Sequence, residues 1–149
     1  MKNYLEDILA ISGQPGLFKL ISNAQGKNNI IVESLTTGKR LPIFSTTSVS
    51  QLKEVLIYSS DSDDVSLKNV FENLYEKYEG KSLSNTKLGN QDYRDFMENG
   101  LPNYDKEKVY VSDMKKLYNW YNILVDQKIL SKEAIDLSKE ENTEVKEEK

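Results

Sequence analysis

The chain has 149 residues, a net charge of −4, 38% hydrophobic residues and 30% charged residues, the composition of a globular domain with its own hydrophobic core. The absence of cysteine and histidine excludes thiolate nucleophiles, imidazole bases and most zinc or iron sites, and it fits a reducing compartment. No apolar run approaches the ~18 residues of a membrane span, and Met1–Asp7 carries acidic residues where a signal peptide is apolar. We therefore expect a cytoplasmic, non-enzymatic protein without a cofactor, a metal site or membrane contact.

The first apolar residues predict a short helix that is capped by Asn3 and runs into an extended Ala10-Ile11. The glycines and Pro15 of Ser12–Gly16 then predict a turn. A phosphate-binding loop would need a long helix after its glycines. Because a strand pattern follows instead, the turn is the favoured interpretation.

Four runs rich in Ile, Val, Leu, Phe and Tyr follow, and the Gly, Asn, Ser and Thr clusters between them predict an antiparallel meander. Gly38 should adopt the left-handed conformation in the second hairpin, and the strand with Pro42 should lie at an edge or have Pro42 facing out. Ser45–Leu52 is predicted to form a single helical turn. The predicted strands are Leu17–Asn23, Asn28–Leu35, Arg40–Phe44 and Glu54–Ser59.

This order of elements matches small SH3-like barrels, with Ala10-Ile11 as a candidate fifth strand. Apolar side chains occupy both faces of the first two predicted strands, whereas a free-standing meander alternates more strictly. The second face should therefore be covered by the helices that follow, most readily by the face of Met114–Val125.

Helical periodicity dominates the rest of the chain. The first helix should be capped by Ser66 and ended by Gly80, the second should run from a cap at Asn90 to Gly100, and the longest should be capped by Ser112. An extended Val109–Val111 precedes the longest helix. The predicted helices are Leu67–Glu79, a short helix between the Asn90 cap and Gly100, Met114–Val125 and Ser131–Leu137.

The predicted fold is therefore α+β: a small SH3-like antiparallel β-barrel or meander followed by a helical C-terminal unit. Residues 1–60 would form the barrel-like domain and residues 61–137 a helical domain packed on it. Residues 138–149 contain one apolar residue and are predicted to be disordered.

Four groups of residues carry a resemblance: Ile11–Leu20 (ISGQPGLFKL), Ile30–Leu35 with Gly38–Arg40, Val109–Asp113, and Trp120–Asn122. They resemble an uncharacterised bacterial family of small proteins, a domain of unknown function, across roughly residues 5–130. The resemblance implies a bacterial and cytoplasmic setting, and it implies no activity, ligand or cofactor.

Basic side chains are the first candidate binding residues. Residues 1–60 carry a charge of +2 and residues 61–149 a charge of −6, so only the first part could offer the basic surface that nucleic acid requires. Ordinary solvated charge is the favoured interpretation of these residues, and a small basic patch for RNA, DNA or an acidic partner is the alternative. The candidates are Lys19, Lys27, Lys39 and Arg40.

Trp120 and Ile123 are candidates for a protein interface. Trp120 shares its helical arc with several tyrosines, a spacing typical of a core, although Tyr and Trp are also favoured at half-buried interfaces. Ile123 is an apolar residue in the polar arc of the same helix. The acids Asp61, Asp63, Asp64, Asp105 and Asp113 mostly precede helices and are interpreted as caps rather than metal ligands.

A non-enzymatic protein-interaction or adaptor module is the preferred function. An RNA- or DNA-associated factor that uses the basic face of the barrel is the alternative. A hydrolase or transferase that works through carboxylates is the third candidate, and no catalytic motif in the sequence supports it.

Overall fold

The structure is a computed structural model that describes residues 4–14, 16–23, 29–44, 48–60, 63–83 and 88–138. It combines antiparallel strands with α-helices, so the predicted α+β class is confirmed. The strands are β1 (Ile8–Ile11), β2 (Phe18–Asn23), β3 (Asn29–Ser34), β4 (Arg40–Phe44), β5 (Val49–Gln51), β6 (Leu56–Ile57) and β7 (Val65–Ser66). The helices are a 3₁₀ turn (Leu52–Glu54), α1 (Leu67–Lys77), α2 (Asn90–Gly100), α3 (Val111–Asp126) and a helical stretch over 132–138.

Five strands form one antiparallel sheet in the order β4-β3-β2-β1-β5. Three sequence predictions are confirmed: Ala10-Ile11 belongs to a strand, Gly38 has a left-handed φ of 76°, and β4 with Pro42 lies at the edge of the sheet. Within the described ranges β4 and β5 are not paired. Closure of the sheet into an SH3-like barrel stays a prediction.

The predicted N-terminal helix is wrong. Residues 4–7 form a turn that ends at Asp7 with a φ of 67°, and β1 then pairs with both β2 and β5. A helix this short is costly to nucleate alone. Two neighbouring strands supply the backbone hydrogen bonds instead, and the expected cap Asn3 lies outside the described residues.

The segment after β4 also differs from the prediction. Val49–Gln51 is a strand, and the helical turn comes later, at Leu52–Glu54. The predicted strand Glu54–Ser59 is reduced to β6, which pairs with β7 rather than with the meander. Such short runs fit either structure, and their remote pairing partners decide between the two.

The helices occur where periodicity predicts them, with differences at their starts. Ser66 caps α1 as expected, because its hydroxyl accepts from the Asn69 N–H at 3.2 Å. The predicted caps Asn90 and Ser112 are wrong. The helices α2 and α3 begin one residue after Gly89 and Tyr110, whose N–H groups donate to the Asp92 and Asp113 carboxylates at 2.9 and 3.1 Å.

Because α3 begins at Val111, the predicted extended segment ends one residue earlier than expected. The last predicted helical turn is confirmed over 132–138. The predicted disordered tail lies outside the described residues, apart from Ser138.

The sheet contacts two hydrophobic clusters, one on each face. One cluster consists of side chains from the sheet strands alone: Leu9, Ile11, Phe18, Val32 and Ile43. The other joins Leu5, Ile8, Leu17 and Leu52 to the buried faces of the helices. The boundary between the proposed domains 1–60 and 61–137 stays a prediction.

Candidate interaction groove

The predicted basic residues lie at one side of the sheet and are partly neutralised. Lys19 and Arg40 sit in register on either side of Glu33, and the Arg40 Nε lies 3.1 Å from the Glu33 Oε1. Lys39 is exposed in the adjacent turn, and Lys27 is outside the described residues. An acid between two cations reduces the local positive potential, and the binding role of this set stays a prediction.

Trp120 and Ile123 are both half-buried on the side of α3 that faces the sheet. The Ile123 Cδ1 lies 3.9 Å from the position that a Cβ on Gly16 would take, and Gly16 has a left-handed φ of 85°. Trp120 is therefore not the fully buried core residue that its helical arc favours. It lines two adjoining cavities.

The first cavity, of about 470 Å³, lies between α3 and the end of β1. Ala10 pairs with Ser50 in register, and the Ser12 N–H donates to the Ser48 carbonyl at 3.0 Å. Directly paired residues share a face of the sheet. These side chains are too small to fill the space below the helix, so a cleft forms. It is lined by Ala10, Ile11, Ser12, Gly13, Gln14, Gly16, Ser48, Ser50, Lys116, Asn119 and Trp120.

The second cavity, of about 270 Å³, lies between α3 and the β6 segment. It shares Ser50, Lys116 and Trp120 with the first cavity, so the two form one groove, named here the Trp120 groove. Its other lining residues are Val55, Leu56, Ile57, Tyr58, Lys108, Val109, Asp113 and Leu117.

Two apolar side chains stand at the mouth of the second cavity. Leu56 is 56% exposed and Tyr58 is 47% exposed, whereas Ile57 between them is buried. Alternation along a strand explains the pattern, because Ile57 enters the core while its neighbours face outward. The groove therefore presents apolar surface to solvent beside a half-buried tryptophan.

The groove carries more positive than negative charge. The Lys108 Nζ lies 5.2 Å from the centre of the Tyr58 ring, and Lys116 lines both cavities. Asp113 is the one acid among the lining residues, and its carboxylate accepts the Tyr110 N–H at the start of α3. Lys116 makes no ion pair with any described residue.

The remaining aromatic residues of α3 serve the core. Tyr121 is fully buried, and its hydroxyl donates to the Lys81 carbonyl at 3.1 Å. The Tyr118 hydroxyl donates to the Leu83 carbonyl at 3.2 Å. Burial raises the pKa of both phenols above the ordinary value. These contacts hold the segment after α1 against α3.

A polar network ties the N-terminal turn to α1. The Tyr4 hydroxyl donates to Glu72 at 2.8 Å, and the Lys68 Nζ lies 2.6 Å from the same carboxylate oxygen. Burial, with a further contribution from Glu72, raises the pKa of Tyr4 above its ordinary value. Glu72 also lines a cavity of about 360 Å³ with Glu76 and Glu79, but its carboxylate is already engaged.

Neither a metal-ligand cluster nor a membrane-spanning helix is found in the described ranges. There, no three acidic side chains come together as a possible metal site. No helix in those ranges combines the length and apolar character that a membrane span needs.

The fold and the groove define a small α+β protein with a cleft between its sheet and its longest helix. The chain belongs to the family described as Domain of unknown function (DUF6852), which matches residues 43–124. Residues 5–52 match a second family, Domain of unknown function (DUF5606). The predicted resemblance to an uncharacterised family is thus confirmed.

A solved structure supports the same relationship. The chain is 37% identical to a protein from Bacteroides vulgatus, a Northeast Structural Genomics Consortium target solved by solution NMR. The similarity covers 85% of this chain and 89% of that one, with a TM-score of 0.68. Comparison with curated proteins gave no match.

The Trp120 groove draws on both matched ranges, since Ala10–Gly16 lies in one and Lys116 and Trp120 lie in the other. Trp120 and Ile123 were predicted from the sequence as interface residues, and their binding role stays a prediction. Trp120 lines the groove, whereas Ile123 lies next to Gly16. Ser50, Leu56 and Lys116 were not predicted. The one available signal was Ile123, an apolar residue in a polar arc, which indicated that this side of the helix also makes contacts.

Proposed function

We propose that this protein is a non-enzymatic interaction module of the bacterial cytoplasm that binds a partner polypeptide in the Trp120 groove. The observation that carries the proposal is the pair of adjoining cavities on either side of a half-buried tryptophan. Half-buried Trp and Tyr residues in pockets are characteristic anchors of protein interfaces.

The shape of the groove favours a polypeptide. Its two cavities adjoin, so they could take successive parts of an extended chain. Exposed Leu56 and Tyr58 enlarge the apolar surface at its mouth. The groove offers one carboxylate, Asp113, whereas general acid–base hydrolysis commonly uses two.

Nucleic-acid binding by the basic face is the weaker candidate. Glu33 lies between Lys19 and Arg40 in register, so this row of the sheet does not present an uninterrupted positive strip. Phosphate neutralisation depends on such a strip. The alternative is retained because Lys39 and Arg40 are exposed.

The bacterial setting is supported by the relative from Bacteroides vulgatus. We also propose that the sheet curls into an SH3-like barrel. The order β4-β3-β2-β1-β5, with the first strand between the second and the last, supports this arrangement. The buried cluster to which strands β1 to β4 contribute Leu9, Ile11, Phe18, Val32 and Ile43 supports it as well. Amide NOEs between β4 and β5 would test closure, and their absence would count against it.

The groove can be blocked without removing a core side chain. Ser50 is exposed, lies in β5 and lines both cavities, so Ser50→Phe should fill the junction between them. Ser22→Phe is the matched control, since Ser22 is an exposed strand residue away from the groove. Each variant and the wild type would be used for affinity capture from a native bacterial lysate, with and without nuclease.

The expected result is a polypeptide that wild type and Ser22→Phe retain after nuclease treatment and that Ser50→Phe loses. Equal capture by Ser50→Phe would exclude this groove as the binding site. Loss of all captured protein on nuclease treatment would favour the nucleic-acid alternative. Thermal unfolding of both variants would verify that each is folded.

A further inference from the structure

We infer that the segment bound in the Trp120 groove is a short acidic peptide with one bulky apolar side chain. The inference rests on the proposed function and specifies its partner. It assigns the apolar side chain to the second cavity and the acidic residues to Lys116 and Lys108.

The apolar part of the inference follows from the lining of the second cavity. Val55, Ile57 and Leu117 contribute apolar side chains to its walls, and Leu56 extends that surface into solvent. Removing apolar surface from water is favourable in proportion to its area. A partner that inserts one Phe, Leu or Tyr side chain would cover both the cavity and its exposed mouth.

The acidic part follows from the charges at the rim. Lys116 borders both cavities and has no ion-pair partner among the described residues. Lys108 lines the second cavity and stands over the Tyr58 ring. Asp113, whose carboxylate accepts the Tyr110 N–H, is the one acid in the lining. A partner that covers the groove without acidic residues would desolvate two ammonium groups without compensation, whereas carboxylates would pair with them.

The overall charge favours a short peptide over a long polyanion. The protein carries a net charge of −4, so an extended anion such as RNA would be repelled beyond the groove. At physiological ionic strength, charges interact over about 8 Å. A few carboxylates next to Lys116 and Lys108 gain the local attraction without most of the long-range repulsion.

The chain provides its own probe for this site. Trp120 is the only tryptophan in the sequence and lies between the two cavities. Its fluorescence would be followed during titration with capped peptides of equal length that lack tryptophan. One set has Glu residues around a Phe, Leu or Tyr anchor, a second set replaces each Glu with Lys, and a third keeps the Glu residues but replaces the anchor with Ser.

We expect an acidic peptide with an anchor to shift the Trp120 emission saturably, and at least about tenfold more tightly than its Lys or Ser counterpart. Lys116→Glu should weaken binding by about tenfold or more. Lys115→Glu is the matched control, since it makes the same charge change on the neighbouring residue, which stands over the Tyr93 ring instead of the groove. It should change affinity less than about twofold.

A second matched pair tests the apolar mouth. Leu56→Ser should weaken binding, whereas Leu137→Ser, at a leucine that is also exposed, should not. Both residues are on the surface, so folding should be unaffected in either variant, and thermal unfolding would verify this.

Several results would overturn the inference. Tighter binding of the Lys peptides would show that the partner is basic, although the groove would still bind polypeptide. No response to any acidic anchored peptide would overturn the acidic partner, while lysate capture that is lost in Ser50→Phe would leave the proposed function standing. Equal weakening by Lys116→Glu and Lys115→Glu would show a general charge effect instead of recognition in the groove.

Discussion

The two sides of α3 differ in how completely they are packed. On one side Met114, Tyr121 and Leu124 are buried in the cluster shared with α1 and α2. On the other side Lys116, Asn119 and Trp120 border a cleft. One amphipathic helix thus completes a core on one side and lines a groove on the other.

Adjacent residues illustrate the difference. The Tyr121 ring lies 6.0 to 6.4 Å from the rings of Phe71, Tyr78 and Phe96, distances at which aromatic pairs attract. Trp120, one residue earlier and therefore about 100° around the helix, is half-buried between two cavities. The large side chain that sequence alone would assign to the core is thus available to a partner.

Separating the two halves of the chain should have the largest effect on folding. Leu5, Ile8, Leu17 and Leu52 share a buried cluster with the helices, and a fragment of about 60 residues is only marginally able to form its own core. Fragment 1–60 should therefore lack a dispersed amide NMR spectrum, and fragment 61–149 should unfold without cooperativity.

Sharp, dispersed peaks and a cooperative melt for fragment 1–60 would contradict this prediction. That result would mean that the cluster of Leu9, Ile11, Phe18, Val32 and Ile43 is sufficient for folding. It would also make the face with Lys19, Lys39 and Arg40 a free binding surface, and nucleic acid should then be tested.

Replacing the neighbouring aromatics compares the two sides of α3 directly. Tyr121→Ala should destabilise by about 3–5 kcal/mol, because it opens a cavity among buried rings and removes the bond to the Lys81 carbonyl. Trp120→Ala should cost less, about 1–2 kcal/mol, since Trp120 is half-buried beside existing cavities. Urea denaturation would measure the loss of stability in both variants. An equal or larger loss for Trp120→Ala would show that the groove side of α3 is packed at least as tightly as the core side.

Gly100 tests how closely α1 and α2 are packed on the core side. A Cβ at Gly100 would lie 2.8 Å from the Val70 Cγ1 and 3.0 Å from the Leu74 Cγ. Gly100→Ala should therefore destabilise by about 1–3 kcal/mol, more than the up to ~1 kcal/mol that alanine gains over glycine in a helix. Glu98→Ala, at an exposed position of the same helix, is the control, and a Gly100→Ala protein at least as stable as wild type would contradict the prediction.

Alkaline pH should lower the stability of the folded protein through the buried Tyr121. Burial raises the pKa of Tyr121 above that of an unfolded tyrosine, about 10. Above that pH the unfolded chain releases the phenolic proton while the folded protein retains it, so stability falls as pH rises, by up to ~1.4 kcal/mol per pH unit for each such group. Below pH 10 this contribution is fully present.

Denaturation series between pH 8 and 11 would measure that slope. Tyr121→Phe should reduce it, whereas Tyr110→Phe removes an exposed phenol and serves as the control. An unchanged slope in Tyr121→Phe would show that other groups cause the loss of stability.

Local sequence patterns were sufficient to predict helices α1 to α3, the edge strand with Pro42 and the left-handed Gly38. Each depends on local physics: a 3.6-residue apolar period over three turns or more, a missing N–H, or a position without a Cβ clash. Strands β2 to β4 followed from β-branched runs between turn residues. These features need no knowledge of distant parts of the chain.

Tertiary pairing was needed to define Ile8-Leu9 and Val49–Gln51 as strands. Each is too short for periodicity to distinguish strand from helix, and they become strands because they pair with one another across about 40 residues of chain. That pairing also places Ala10 opposite Ser50 below α3. The first cavity of the groove arises because small side chains from two distant segments meet under one helix, and no local pattern in the sequence records that meeting.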